Sequence, residues 1–176
     1  MSYDALAESV RLLEGAAPQG SARLSRRRRY VPLAVDRDGD IAATMFLRRS
    51  VSGVPELEVH VLELTGGGWR MLGGGGGPGQ EATEARPRLA DLGGPGVSHG
   101  GGGTARASRS RLRRDHWISW AELRLAEEVS ELRVGTRLVP VAEHGCAVVV
   151  WMRQPPRITA LDASGAELGP VAVRVT

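Results

Sequence analysis

Two clusters of arginine are the residues whose type and spacing best suit chemistry in this chain. Arg26, Arg27, Arg28 and Arg29 are consecutive, and Arg106, Arg109, Arg111, Arg113 and Arg114 crowd a second stretch with Ser108 and Ser110 between them. Clustered guanidinium groups release counterions from a polyanion and make charge-assisted bonds to phosphate. Arg26, Arg27, Arg28, Arg29, Arg109, Arg111, Arg113 and Arg114 are therefore the candidate phosphate or nucleic-acid contacts. Serines flanked by arginine also suit a basophilic kinase. Two facts pull the other way. Only Tyr30 adjoins the first run, so the aromatic interleaving of single-strand binders is thin. All 23 basic residues are arginine, as a high-GC coding bias would give without selection for function, and the net charge is only +3. Overall charge does not demand a nucleic-acid partner.

Catalytic and metal chemistry is sparser. His60, His99, His116 and His144 are scattered, and a single cysteine, Cys146, can begin neither a zinc site nor an internal disulfide. Within its apolar run Cys146 reads as a buried, inert thiol. Asp115-His116 and Glu143-His144 are the pairs suited to hydrolysis, but neither has a nucleophile in a context such as G-x-S-x-G. They read as exposed turn residues, and His60 reads as a solvated residue on a polar strand face. Asp36, Asp38 and Asp40 alternate like the start of a calcium loop. Gly39, however, stands before the third acid and the twelfth position is Leu47, so the stretch reads as a tight Asp38-Gly39 hairpin. The glycine runs Gly73–Gly77 and Gly100–Gly103 lack the GxxxxGK[ST] pattern of a phosphate loop. No catalytic, metal or cofactor-binding residue is assigned and no cofactor is expected.

The elements that must hold these residues are mostly short strands. Leu132–Val134, Leu138–Val141, Cys146–Trp151, Ile158–Leu161 and Val171–Val175 are cut by Gly, Pro and Asp turns, the pattern of an all-β sandwich or barrel. Cys146–Trp151 is apolar on both faces, which marks a central strand. Upstream, Val31–Val35 pairs with Ile41–Leu47, and Leu57–Leu64 with Trp69–Leu72. A slip of alternation near Val61–Leu62 calls for a bulge or for burial of both faces. Asp115–Val129 is ambiguous: Ser119 to Glu122 matches a capping box, yet Trp117, Ser119, Ala121, Leu123 and Leu125 alternate. The strand is the better reading, turning at Glu127-Glu128 into a hairpin with Glu131–Val134. Tyr3–Ala17 reads as an amphipathic helix with Leu6, Val10, Leu13 and Ala17 on one face and Ser2 or Asp4 as its cap.

These readings divide the chain into an N-terminal helix (1–20), a basic linker (21–29), two halves of a β-sandwich (30–72 and 115–176) and a Gly/Arg-rich insertion (73–114). The insertion has almost no large apolar residues to offset its ordering entropy, so it is predicted disordered, with one short ordered piece at Arg88–Leu92. The fold class is all-β, an immunoglobulin-like sandwich with one helix and that insertion.

The run from Glu131 through Val134-Gly135, Pro140-Val141, Val148–Trp151 and Ile158 to Gly165 resembles the terminal strands of β-sandwich regions in uncharacterised high-GC bacterial proteins. The resemblance covers about a third of the chain and implies a fold without an activity. The function expected first is a non-catalytic protein-interaction or scaffolding module, partnered by another protein or a second copy of the chain through a free strand edge. Nucleic-acid binding through two flexible arginine arms comes second, and an enzyme third. With neither a secretory leader nor a run long enough to span a membrane, a cytoplasmic location is expected.

Overall fold

The computed structural model describes residues 3–15, 18, 20–106 and 116–173. The all-β expectation holds: these residues form eleven strands in three antiparallel sheets. The first sheet is a meander of β1 (Tyr30–Asp38), β2 (Ile41–Arg49), β3 (Pro55–Thr65) and β4 (Gly68–Pro78). A central sheet has β6 (His116–Leu125) between β5 (Gly96–Arg106) and β9 (Cys146–Met152). The third runs in the order β11 (Glu167–Pro170), β10 (Ile158–Leu161), β7 (Glu131–Val134), β8 (Arg137–Pro140).

Because strand side chains alternate between faces, two cores form. Met45 and Leu47 of β2 and Val59 and Val61 of β3 pack with Ile118 and Trp120 of β6 and with Cys146, Val148 and Val150 of β9. Residues of the other parity, Ala121, Leu123, Leu125, Ala147, Val149 and Trp151, meet Leu132, Val134, Ile158 and Ala160 of the third sheet. The central sheet is thus covered on both sides, as the doubly apolar run Cys146–Trp151 predicts. Where the sequence reading has two facing sheets, the chain builds three.

Helix α1 (Ala5–Glu14) adds a layer outside the first sheet, over a face on which Ala42, Thr44, Phe46 and Leu62 are fully buried. Asp4 caps it, accepting from the Ala7 N–H at 3.0 Å. The docked face differs from the predicted one. Ser9 and Leu12 are buried, the Ser9 hydroxyl bonding Thr44 at 2.8 Å, while Leu6 of the expected stripe is 38% exposed. The hydroxyl pair selects the face in place of the leucines. Ser2 and Ala17 lie outside the described residues.

The largest correction concerns 73–106, the described part of the predicted insertion; residues 107–114 lie outside the described residues. β4 runs straight through Gly73–Gly77, paired with β3 from Val61 to Leu57, and β5 carries Gly100–Gly103 against Glu122–Ser119 of β6. Indole rings occupy the space that side chains would need. A Cβ on Gly102 would lie 2.7 Å from the Trp120 ring and one on Gly75 3.2 Å from it, while one on Gly103 would lie 2.0 Å from Trp117 Nε1. Burial of Trp120 across two glycine strands offsets the entropy that glycine loses on ordering. Between the strands, Ala82 enters the first core, and Leu89 and Leu92 of the single-turn helix α2 (Leu89–Leu92) pack on the second. Arg124 donates to the carbonyls of Glu84, Ala85 and His144, and Arg86 to those of Leu125, Ala126 and Val129. These two guanidinium groups tie the connection to the end of β6.

Smaller differences follow from the layering. β6 is a strand as read, but its neighbours are β5 and β9, because the turn after it carries the chain to the third sheet. The register shift falls between Val61 and Leu62 as predicted, and the tight loop is Gly39–Asp40, with Asp38 opposite Ile41 and Gly39 at φ +63°. The last described strand is β11, ahead of the expected Val171–Val175, whose residues 174 and 175 lie outside the described residues.

The outer edge of β9 is closed by side chains. A register shift in β1 between Pro32 and Ala34 turns Ala34 and Asp36 toward the first core. Asp36, 3% exposed, accepts from the Val150 N–H at 2.8 Å and from Arg137 Nε and Nη2 at 2.8 and 2.7 Å. Arg137 Nη2 in turn donates to the Val150 carbonyl at 2.6 Å. The ion pair presents one acceptor and one donor to β9, as a neighbouring strand would.

Candidate anion-binding cleft

The first arginine run is held in place by its flanks. Ala22 is buried in the first core and Leu24 packs on it. Ser25 and Arg28 close a turn, the Ser25 N–H donating to the Arg28 carbonyl and the Arg28 N–H to Ser25 Oγ, both at 2.9 Å. Arg26 to Arg29 are exposed on this turn. The Arg49 N–H donates to the Arg29 carbonyl at 2.8 Å, extending the β1–β2 ladder, in which Tyr30 stands opposite Arg48. The hairpin register therefore gathers Arg27, Arg28 and Arg29 with Arg48 and Arg49 around one cleft of about 1300 Å³, with Ser50 and Ser52 on its rim. The segment read as a basic linker forms one wall of this cleft.

The cleft floor is aromatic. Tyr3 and Tyr30 lie 4.8 Å apart between ring centroids, Tyr3 meets Phe46 edge-on at 6.0 Å, and the Tyr3 hydroxyl is 2.9 Å from His60 Nε2. Arg48 sits between the Tyr3 ring, 5.8 Å from its centroid, and Glu58, whose carboxylate it binds at 2.7 Å. Its Nε–H is buried and has no partner among the described residues. Burial, and next the Glu58 charge, push the Tyr3 hydroxyl pKa up, while burial pulls His60 below its usual value. His60, with its side chain 12% exposed, is packed beneath Tyr3 and is not the solvated residue expected from the sequence. Of the cleft arginines, only Arg48 makes an ion pair within 4 Å among the described residues. Glu56 is the one carboxylate among the lining residues.

Arg106, the one described residue of the second cluster, does not line the cleft. Arg106, from which the second cluster leaves β5, binds Asp40 Oδ2 at 2.5 Å and Glu63 Oε2 at 2.6 Å beside the β1–β2 loop. That is the far end of β2 from Arg49, roughly 27 Å away at the rise of an extended strand. Arg109, Arg111, Arg113 and Arg114 lie outside the described residues, as do Ser108, Ser110 and Asp115. Arg26 stays outside the cleft lining.

The remaining chemical candidates stay dispersed. His99 and Glu143 are exposed and His116 is half-buried. Among the described residues no three His, Cys, Asp or Glu side chains are grouped to hold a metal ion. His144 is a correction: it is 6% exposed, and its Nδ1 accepts from the Cys146 N–H at 3.0 Å. Burial lowers its pKa to about 4, with Arg124 and Arg86 nearby acting in the same direction. The unfolded chain thus takes up a proton near pH 6.5 that the folded one refuses until about pH 4. His144 contributes stability that is complete above pH 6.5 and is lost as the pH falls toward 4. Urea titrations from pH 7.5 to 4.5 are expected to show a loss on the order of 2 to 3 kcal/mol from this group. His144→Asn, which keeps an acceptor for Cys146 but does not titrate, is expected to flatten that slope.

No family model, curated protein or solved structure matches this chain. The chemistry of the cleft is the guide to what it holds. Tyr3, Arg48, Arg49, Ser50 and Ser52 carry no site signal in the sequence, where Arg48 and Arg49 follow the expected strand Ile41–Leu47. The tight loop at Gly39 brings Arg48 and Arg49 to the Tyr30 end of β1, and the one-residue shift between Pro32 and Ala34 sets Arg48 opposite Tyr30. The described helices include none long and apolar enough to cross a membrane.

Proposed function

We propose that the protein is a non-catalytic interaction module that carries an extended anionic ligand in the arginine cleft. The observation behind this reading is that Arg27, Arg28, Arg29 and Arg49 surround one concave surface with no carboxylate within 4 Å of them among the described residues. Guanidinium groups left without acid partners keep their full capacity for an incoming anion. A volume of about 1300 Å³ exceeds that of an ordinary small-molecule pocket, which suits several units of a polymer. The reading retains the non-catalytic class expected from the sequence and gives it a surface.

The test is titration with long-chain polyphosphate at low salt, using the wild-type chain and the triple variant R27Q/R28Q/R29Q. These side chains are exposed, so the variant is expected to keep the wild-type unfolding midpoint. Its affinity is expected to fall at least about 10-fold, since each charge-assisted contact contributes on the order of 1 kcal/mol. Undiminished binding by the variant would place the anion elsewhere and end this reading.

A further inference from the structure

We infer that the ligand of the cleft is a single-stranded nucleic acid, its phosphates on the arginine wall and a base stacked on Tyr30. This rests on the anion-binding reading above and adds the chemistry of the ligand.

Three features of the site favour a nucleic acid over an acidic peptide. First, Arg27, Arg28 and Arg29 follow one another along an exposed turn, with Arg49 hydrogen-bonded beside Arg29. Four guanidinium groups are thus concentrated on one short surface, a charge density that matches the one-per-nucleotide charges of a phosphodiester backbone more closely than the carboxylates of a peptide, which sit on separate side chains. Second, the half-buried Tyr30 lines the same cleft immediately after the arginines. A basic groove with an aromatic platform is the arrangement that holds single strands, because every base has a π-face and none needs a matched hydrogen-bond pattern. Third, the platform is backed and fixed. Tyr3 packs 4.8 Å from Tyr30 and is itself anchored by His60 and Arg48, so little side-chain freedom remains to be lost on stacking. In a duplex the bases are stacked on one another and unavailable to Tyr30, which sets the preference for single strands.

Fluorescence anisotropy with labelled oligouridine and oligothymidine, in the full chain, reads this directly. With about four phosphates neutralised, the plot of log affinity against log salt is expected to slope near −3, and near −1 in R27Q/R28Q/R29Q. Tyr30→Leu is expected to weaken binding roughly 10-fold with the slope unchanged, as loss of one stacked base requires. Because Tyr30 also supports Tyr3, a second measurement avoids substitution: strands carrying 5-iodouracil, irradiated in complex with the wild-type chain, are expected to crosslink to Tyr30. Two negative outcomes separate the layers of the argument. If polyglutamate or a duplex of equal length competes as well as the single strand and no crosslink maps to Tyr30, the nucleic-acid inference fails while the anion cleft stands. If neither polyphosphate, polyglutamate nor oligonucleotide binds at low salt, both fail together.

Discussion

Asp36→Ala is expected to destabilise the fold by about 3 to 5 kcal/mol, the range seen when one partner of a buried ion pair is removed. Three losses coincide at this position. The Arg137 guanidinium loses its carboxylate, the Val150 N–H loses its acceptor, and the outer edge of β9 is opened. Replacing both charged residues by apolar ones, which can rescue other buried pairs, is expected to fail here. The N–H and carbonyl of Val150 would remain without partners whatever the new side chains pack against. Equilibrium urea unfolding checks the point. A double variant D36L/R137M as stable as wild type would show that the backbone of β9 finds other partners. The salt-exposed pair Arg133–Glu167, with both side chains more than two-fifths open, serves as the contrast. Its loss is expected to shift stability by less than about 1 kcal/mol.

Gly74→Ala is expected to be the most damaging of the glycine substitutions, with a cost of about 3 kcal/mol or more. The new Cβ would stand 2.0 Å from the Val59 carbonyl oxygen, an atom of the β3 backbone that cannot rotate away. Relief therefore requires β4 to leave its ladder with β3. Gly77→Ala, in the same run but with nothing within 4 Å of its Cβ, is the matched control and is expected to be near neutral. A thermal melt of the two variants distinguishes a folded glycine strand from a flexible glycine linker, since a linker would tolerate both alike.

How far the fold can be read from the chain depends on where the controlling information lies. Strands with local alternation and a turn residue at each end, such as Ile41–Leu47 and Cys146–Trp151, are legible because period and boundary sit within a few residues of each other. The register shift at Val61–Leu62 is legible for the same reason. The glycine strands are not, because nothing inside Gly73–Gly77 or Gly100–Gly103 favours extension. What orders them is Trp120, a residue of another strand, reaching across both runs. A contact of that range has no local signature. The burial of His144 is hidden in the same way, because the turn that contains it is covered by Arg86 and Arg124 from distant segments. The candidate site was half legible. Its arginine run is plain in the sequence, but its second wall appears only when the hairpin register is followed to Arg48 and Arg49. The aromatic floor requires α1 to return over the sheet.

The closure of β9 by Asp36 also bears on when the molecule can assemble. Asp36 and Val150 are 114 residues apart, and Asp36 and Arg137 are 101 apart. The first sheet is a meander whose pairings are all local, so it can form while the chain is still being made. Its inner face, however, stays open until β6 and β9 emerge to cover it. Pairings of such long range slow folding, because loop closure must precede the contacts that reward it. A ribosome-bound chain that ends before Val150 carries a finished sheet with an open apolar side, which makes the interval before β9 emerges the period of greatest exposure to chaperones and to aggregation.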